Sequence, residues 1–145
     1  MKLAFLLWLA SLTPQQFSDQ LCLATTVYLE ARSETAAGQM AVAEVAMRRR
    51  DQGRWGDSVC SVVESPGQFA MSTTNKGYVL RNGDAFAKAW SVAGHAIAMW
   101  DLPAIERTMI VPHADHFATV DTVSPAWMRK PPLATIGAHN FYRVN

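Results

Sequence analysis

The chain has 145 residues, 50% of them hydrophobic and 17% charged, with a mean hydropathy of +0.01. That length fits one domain with a sizeable core, and the low charge excludes intrinsic disorder. Thirteen Lys and Arg against twelve Asp and Glu leave +1, which argues against a chain built chiefly to grip nucleic acid.

Met1 and Lys2 precede the apolar run Leu3 to Leu12. A bilayer span needs about 20 residues, so this run is too short to cross one. It reads as a signal core, a weak membrane anchor capable of transient contact, or a packed helix, and is set apart as segment 1–12 from the domain 13–145. Thr13-Pro14-Gln15-Gln16 predicts a capped helix over about 14–30, with Phe17, Leu21, Ala24 and Tyr28 at helical spacing. A turn through Arg32-Ser33-Glu34 follows. Thr35 then caps a second helix that ends at Gly53. Arg48, Arg49 and Arg50 read as its solvated end.

Asp57 is the expected cap of a short helix through Val63, and Ser65-Pro66-Gly67 breaks it. Residues 71–83 read as loop. Asp84 is the expected cap of a helix over about 85–100, with Phe86, Ala89, Trp90, Ala93, Ile97 and Trp100 on one stripe. Short β segments are expected at 108–111, 116–120 and 136–144. The fold class is therefore α+β and mainly helical, with a small β region in the C-terminal third. Cys22 and Cys60 form one bridge if the chain works outside the cytosol; otherwise they are two buried thiols.

Glu30 ends the first helix, where the helix dipole disfavours an anion, and apolar Val27, Leu29 and Ala31 add desolvation. A carboxyl still protonated near neutral pH is what a glycosidase needs to protonate a leaving oxygen. The plainer reading is a solvent-facing Glu paired with Arg32. Glu34 lies near the next helix N-terminus, which favours its anionic form. His113, Asp115, His116 and His139 are of the right types for zinc, although 113 and 116 point to opposite faces of a strand. Phe69, Phe117, Trp127, Phe141 and Tyr142 accompany Gln68, His116 and His139, a mixture suited either to a sugar groove or to plain core packing. After Asp121 the chain has no acid, while Arg129, Lys130 and Arg143 remain, a bias suited to a polymer bearing carboxylates.

The blocks Leu21 to Ala24, Tyr28-Leu29-Glu30-Ala31-Arg32-Ser33-Glu34, Gly38 to Ala43, Val59 to Val63, Gly67-Gln68-Phe69, the Ala85 to Ala98 helix, His116-Phe117-Ala118 and Ile136 to Tyr142 together resemble the cell wall hydrolase family of the SleB/CwlJ type. The resemblance covers residues 19–143 in order. It implies a lysozyme-like, lytic-transglycosylase-like single domain that cleaves the glycosidic bond between N-acetylmuramic acid and N-acetylglucosamine. Glu30 matches the catalytic acid, acting first as acid and then as base to leave a 1,6-anhydro end. Arg32, Glu34, Gln68, Phe69, His116, His139 and Tyr142 become the expected groove residues.

No metal or cofactor is implied, and the expected partner is a peptidoglycan glycan strand bound by a monomer acting on the cell wall, as a phage endolysin or an exported autolysin. Ser33 stands where the family usually has Gly, which bears on the turn geometry and on Glu34. Two other readings stay open: a zinc-dependent amidase using His113, His116 and His139, and a non-catalytic glycan-binding protein.

Overall fold

The computed structural model describes residues 1–122 and 124–145. Among the described residues six α-helices precede a small sheet: α1 (Leu3–Leu12), α2 (Gln15–Ala31), α3 (Ala36–Gln52), α4 (Val59–Glu64), α5 (Ala70–Thr73) and α6 (Gly83–Asp101). The strands are β1 (His116–Thr119), β2 (Ala134–Ile136) and β3 (His139–Tyr142).

Helix α2 is the axis of the molecule. Every residue from Leu21 to Tyr28 is buried, because α1, α3, α4 and α6 all pack on it. A helix apolar on all sides belongs in a core, and Ala24, Thr25 and Thr26 are small enough to let its neighbours close in. Thr25 satisfies its buried hydroxyl by donating to the Leu21 carbonyl at 2.7 Å. The consequence is that Glu30 is carried at the end of the helix on which the others pack. Cys22 on α2 is bridged to Cys60 on α4.

Helix α1 packs through Leu3, Leu6 and Ala10, while Phe5, Trp8 and Leu12 face outward. Its start is tied to the 76–80 segment by Leu3 N–H to Tyr78 O and Ala4 N–H to Lys76 O, while Leu80 N–H donates to Met1 O. Among the described residues no helix is long and apolar enough to cross a membrane.

Thr35 and Gly53 bound α3 as expected. The Thr35 hydroxyl accepts from Gly38 N–H, and Gly53 ends the helix at φ 70°, the left-handed conformation that glycine adopts without strain. Other boundaries differ. Pro14, not Thr13, is the N-cap of α2, and no side chain caps it. Ser58, not Asp57, caps α4 through a reciprocal box with Ser61. Asn82, not Asp84, caps α6, accepting from Ala85 N–H. The expected 71–83 loop begins inside the one-turn helix α5.

The expected strand at 108–111 does not form. Glu44 reaches from α3 and accepts Ile110 N–H at 2.7 Å and Val111 N–H at 3.0 Å, so a buried carboxylate takes the donors a partner strand would need. The three strands are antiparallel in the order β1-β3-β2. The expected segment 136–144 is a hairpin, with Gly137 at φ 55° between β2 and β3. Ser33 does not occupy a left-handed turn, since His113 is the only non-glycine of positive φ among the described residues.

Candidate active site

The site forms where the end of α2 meets α5 and the sheet. Glu30 is half-buried, and its Oε1 accepts the Ala70 N–H at 2.6 Å. That amide opens α5, which has no cap of its own from Phe69, so Glu30 supplies the acceptor from another element. Burial pushes the Glu30 carboxyl above the ordinary glutamate value; the Ala70 N–H and the Arg49 charge oppose this without cancelling it. Arg32 does not pair with Glu30. Its exposed guanidinium lies 5.2 Å from the Tyr28 ring centroid.

The sequence predicts a solvated helix end at Arg49. It is 4% exposed instead. Its Nε donates to the Asp115 carbonyl at 2.7 Å and its Nη1 to Gln68 Oε1 at 3.2 Å. The guanidinium lies over both the Trp55 and Phe69 rings, 4.8 Å from each centroid. Burial brings its pKa down to about 10, against the raising influence of Asp115 and Glu30. The signal that could have found it is an arginine one helical turn before the Gly53 stop, followed by Trp55. Nothing in that stretch shows that Gln68, Phe69 and Asp115 converge on it.

Glu34 sits at the other side of the α2–α3 turn. Its Oε1 accepts Ala138 N–H at 3.2 Å and lies 3.7 Å from His139 Nδ1. His139 is buried against Phe117, and burial lowers its pKa while Glu34 raises it. The β hairpin thus delivers Ala138 and His139 to the Glu34 carboxylate.

His116 lies on the other face of the sheet. In the β1–β3 register it opposes Tyr142, whereas His139 opposes Thr119, three positions along β1. Alternation then turns the two histidines to opposite faces. His113 is exposed on the preceding turn. The zinc set therefore does not assemble, and among the described residues no three His, Cys, Asp or Glu side chains converge on one point.

His116 Nδ1 lies 2.8 Å from Asp115 Oδ1, and its ring packs against Trp127. Burial lowers its pKa, opposed by Asp115 and reinforced by Arg49. Tyr142 is buried behind Trp127, and its hydroxyl donates to Met128 O at 3.1 Å. Phe69 is 2% exposed, so it supports the wall from behind. A cavity of about 450 Å³ opens beside these groups, lined by Arg49, Trp55, Gln68, His116, Phe117 and Trp127. Glu30, Glu34 and His139 do not line this cavity: Glu30 is held by Ala70 at the end of α2 and Glu34 lies beside His139 past the turn, while Gln68 and His116 face the cavity.

A family model described as Cell Wall Hydrolase matches residues 33–142. The chain belongs to the cell wall hydrolase family. The matched stretch opens just beyond Glu30. A spore cortex-lytic enzyme of Oceanobacillus iheyensis is 30% identical over 131 residues, covering 88% of this chain and 43% of that enzyme. The chain thus spans less than half the length of that curated relative.

The catalytic domain of the germination-specific lytic transglycosylase SleB from Bacillus anthracis superposes with a TM-score of 0.67 at 26% identity. The match covers 86% of this chain and 93% of that one. The SleB catalytic domain of Bacillus cereus gives 0.64 at 24% identity, over 86% and 89%. The mainly helical, lysozyme-like fold expected from the sequence is the fold of this family member.

Proposed function

We propose that this cell wall hydrolase cleaves peptidoglycan glycan strands as a lytic transglycosylase, with Glu30 as its single acid and base. The observation that carries the reading is the half-buried Glu30 carboxyl, raised by burial and held by the Ala70 N–H that follows Gln68 and Phe69. Protonated Glu30 gives its hydrogen to the oxygen linking N-acetylmuramic acid to N-acetylglucosamine, and the bond from that oxygen to the muramoyl C1 breaks. The ionised carboxylate then takes the proton of the muramoyl C6 hydroxyl as that oxygen bonds to C1. A 1,6-anhydro ring closes and Glu30 is protonated again, so neither water nor a metal is consumed.

Two further observations support one carboxyl doing both steps. Glu34 is committed to the Ala138 N–H and sits beside His139, away from a free nucleophile's role. The Ala70 N–H and Arg49 both favour the anion that exists between the steps. Gln68 and His139 are the proposed sugar contacts, with Arg32, Glu34 and His116 flanking them and Phe69 and Tyr142 backing the wall. The site of action is the cell wall.

Mass analysis of muropeptides released from isolated walls tests the reading. Anhydro ends, absent from a Glu30→Gln digest, are expected. Free reducing ends would assign hydrolysis instead, and undiminished release by Glu30→Gln would remove Glu30 from the mechanism.

A further inference from the structure

Arg49 is a buried cation with no carboxylate within 4.0 Å among the described residues. A charge in that position is costly to keep unless the fold or the chemistry uses it. What it touches is specific. One nitrogen holds the Gln68 side chain, and the guanidinium plane covers the Phe69 ring. Those two residues lead directly into Ala70, whose N–H donates to Glu30. The remaining anchor is the Asp115 carbonyl at the start of β1, so the guanidinium joins the end of α3, the strap before α5 and the sheet.

We propose that Arg49 is a positioning residue of the reaction: it fixes the Gln68–Phe69–Ala70 strap that donates to Glu30, and it supplies the buried positive charge that faces the Glu30 carboxylate once its proton has left. The inference rests on Glu30 being the acid and base. It adds that the anion is stabilised by a pre-placed cation rather than by water. Lysine cannot replace it, because an ammonium cannot span Gln68 and the Asp115 carbonyl while stacking on two rings.

The charged and titratable groups around the pair are few. Glu30 faces Arg49 and the Ala70 amide. Arg49 faces Asp115, Glu30 and His116, and His116 also faces Arg54. The basic limb of kcat/KM on glycan strands reads loss of the Glu30 proton. Since His116 also feels Arg49, each profile is repeated in a His116→Asn background.

Arg49→Gln removes the charge while keeping a donor. Its basic limb should move to higher pH by on the order of one unit, with kcat lowered at least about tenfold. Arg49→Lys keeps the charge, so its limb should stay in place while kcat, rather than KM, suffers. A purely structural role would depress activity at every pH and leave the Arg49→Gln limb unmoved, and that result overturns the proposal. If Arg49→Gln fails to fold, Arg49→Lys decides: a displaced limb or a wild-type kcat overturns it. Glu30→Gln run alongside separates the failures. An active Glu30→Gln defeats the reading beneath the proposal, whereas an inactive one with an unmoved Arg49→Gln limb defeats the Arg49 role alone.

Discussion

Gly137 lies against the Glu34 carboxylate so closely that a Cβ built on it would come within 2.8 Å of Glu34 Cδ and closer still to Oε2. The same residue holds φ 55°, where an L side chain is strained. The β2–β3 turn is therefore shaped around an acid from the α2–α3 turn. Gly137→Ala should displace Glu34 from Ala138 and His139 and cost about 1–3 kcal/mol. Urea unfolding checks the stability loss, and wall-lysis assays should show reduced turnover in protein that remains folded.

Replacing Glu30 should stabilise the protein while silencing it. Its carboxyl is raised in the folded state, so the stability tied to the protonated form is complete below the ordinary glutamate value. That stability is lost as pH rises through the raised one. Glu30→Gln keeps an acceptor for Ala70 N–H and never ionises. Its Tm should exceed wild type by on the order of 2 °C at pH 7.5, with the gap closing by about pH 4. Thermal melts across that range give the comparison; a lower Tm for Glu30→Gln at pH 7.5 would contradict it.

The bridge from α2 to α4 closes a sequence separation of 38 residues. Chain entropy assigns a loop of that size about 3–4 kcal/mol. Cys22→Ser with Cys60→Ser should lower stability by that order in guanidinium titrations. Lysis should persist wherever the double variant is still folded, since neither sulfur reaches the site.

Asp115 gathers the end of the chain. Its Oδ1 takes His116 Nδ1 and Val144 N–H, and its Oδ2 takes Asn145 N–H and the Gln52 amide. Burial alone would raise its pKa, but these bonds together hold it below the ordinary aspartate value. The stability it contributes is present above that value and is lost as pH falls through the depressed one. Asparagine can satisfy donors through one oxygen only, so Asp115→Asn should cost about 2–4 kcal/mol at pH 7. Its stability should then change less between pH 5 and pH 2 than that of wild type, by denaturant titration at each pH.

The parts of this molecule written in local patterns were legible: α2, α3 and α6, the Thr35 and Gly53 boundaries, and the β character of 116–119, whereas the turn at Gly137 inside the expected 136–144 segment was not. The burial of the Glu30 carboxyl follows from a helix end among adjacent apolar neighbours, whereas its assignment as the acid came from the family resemblance. The misreadings share a cause in distant partners. The 108–111 segment has strand composition, yet Glu44 claims its amides from α3. Arg49 has the look of a solvated helix end, yet Trp55, Phe69, Gln68 and Asp115 come together over it. His113, His116 and His139 share metal-binding chemistry, and only strand register shows that two of them face apart. Cap positions slipped by one or two residues where Ser58 or Asn82 competed with a neighbouring Asp.

The most direct measurement is the titration of the Glu30 side-chain carboxyl by carbon-13 NMR, its resonance assigned by disappearance in Glu30→Gln. The account predicts a midpoint clearly above the ordinary glutamate value of 4.5. A midpoint at or below that value would mean that the carboxyl has no proton to give at neutral pH, and would contradict the account.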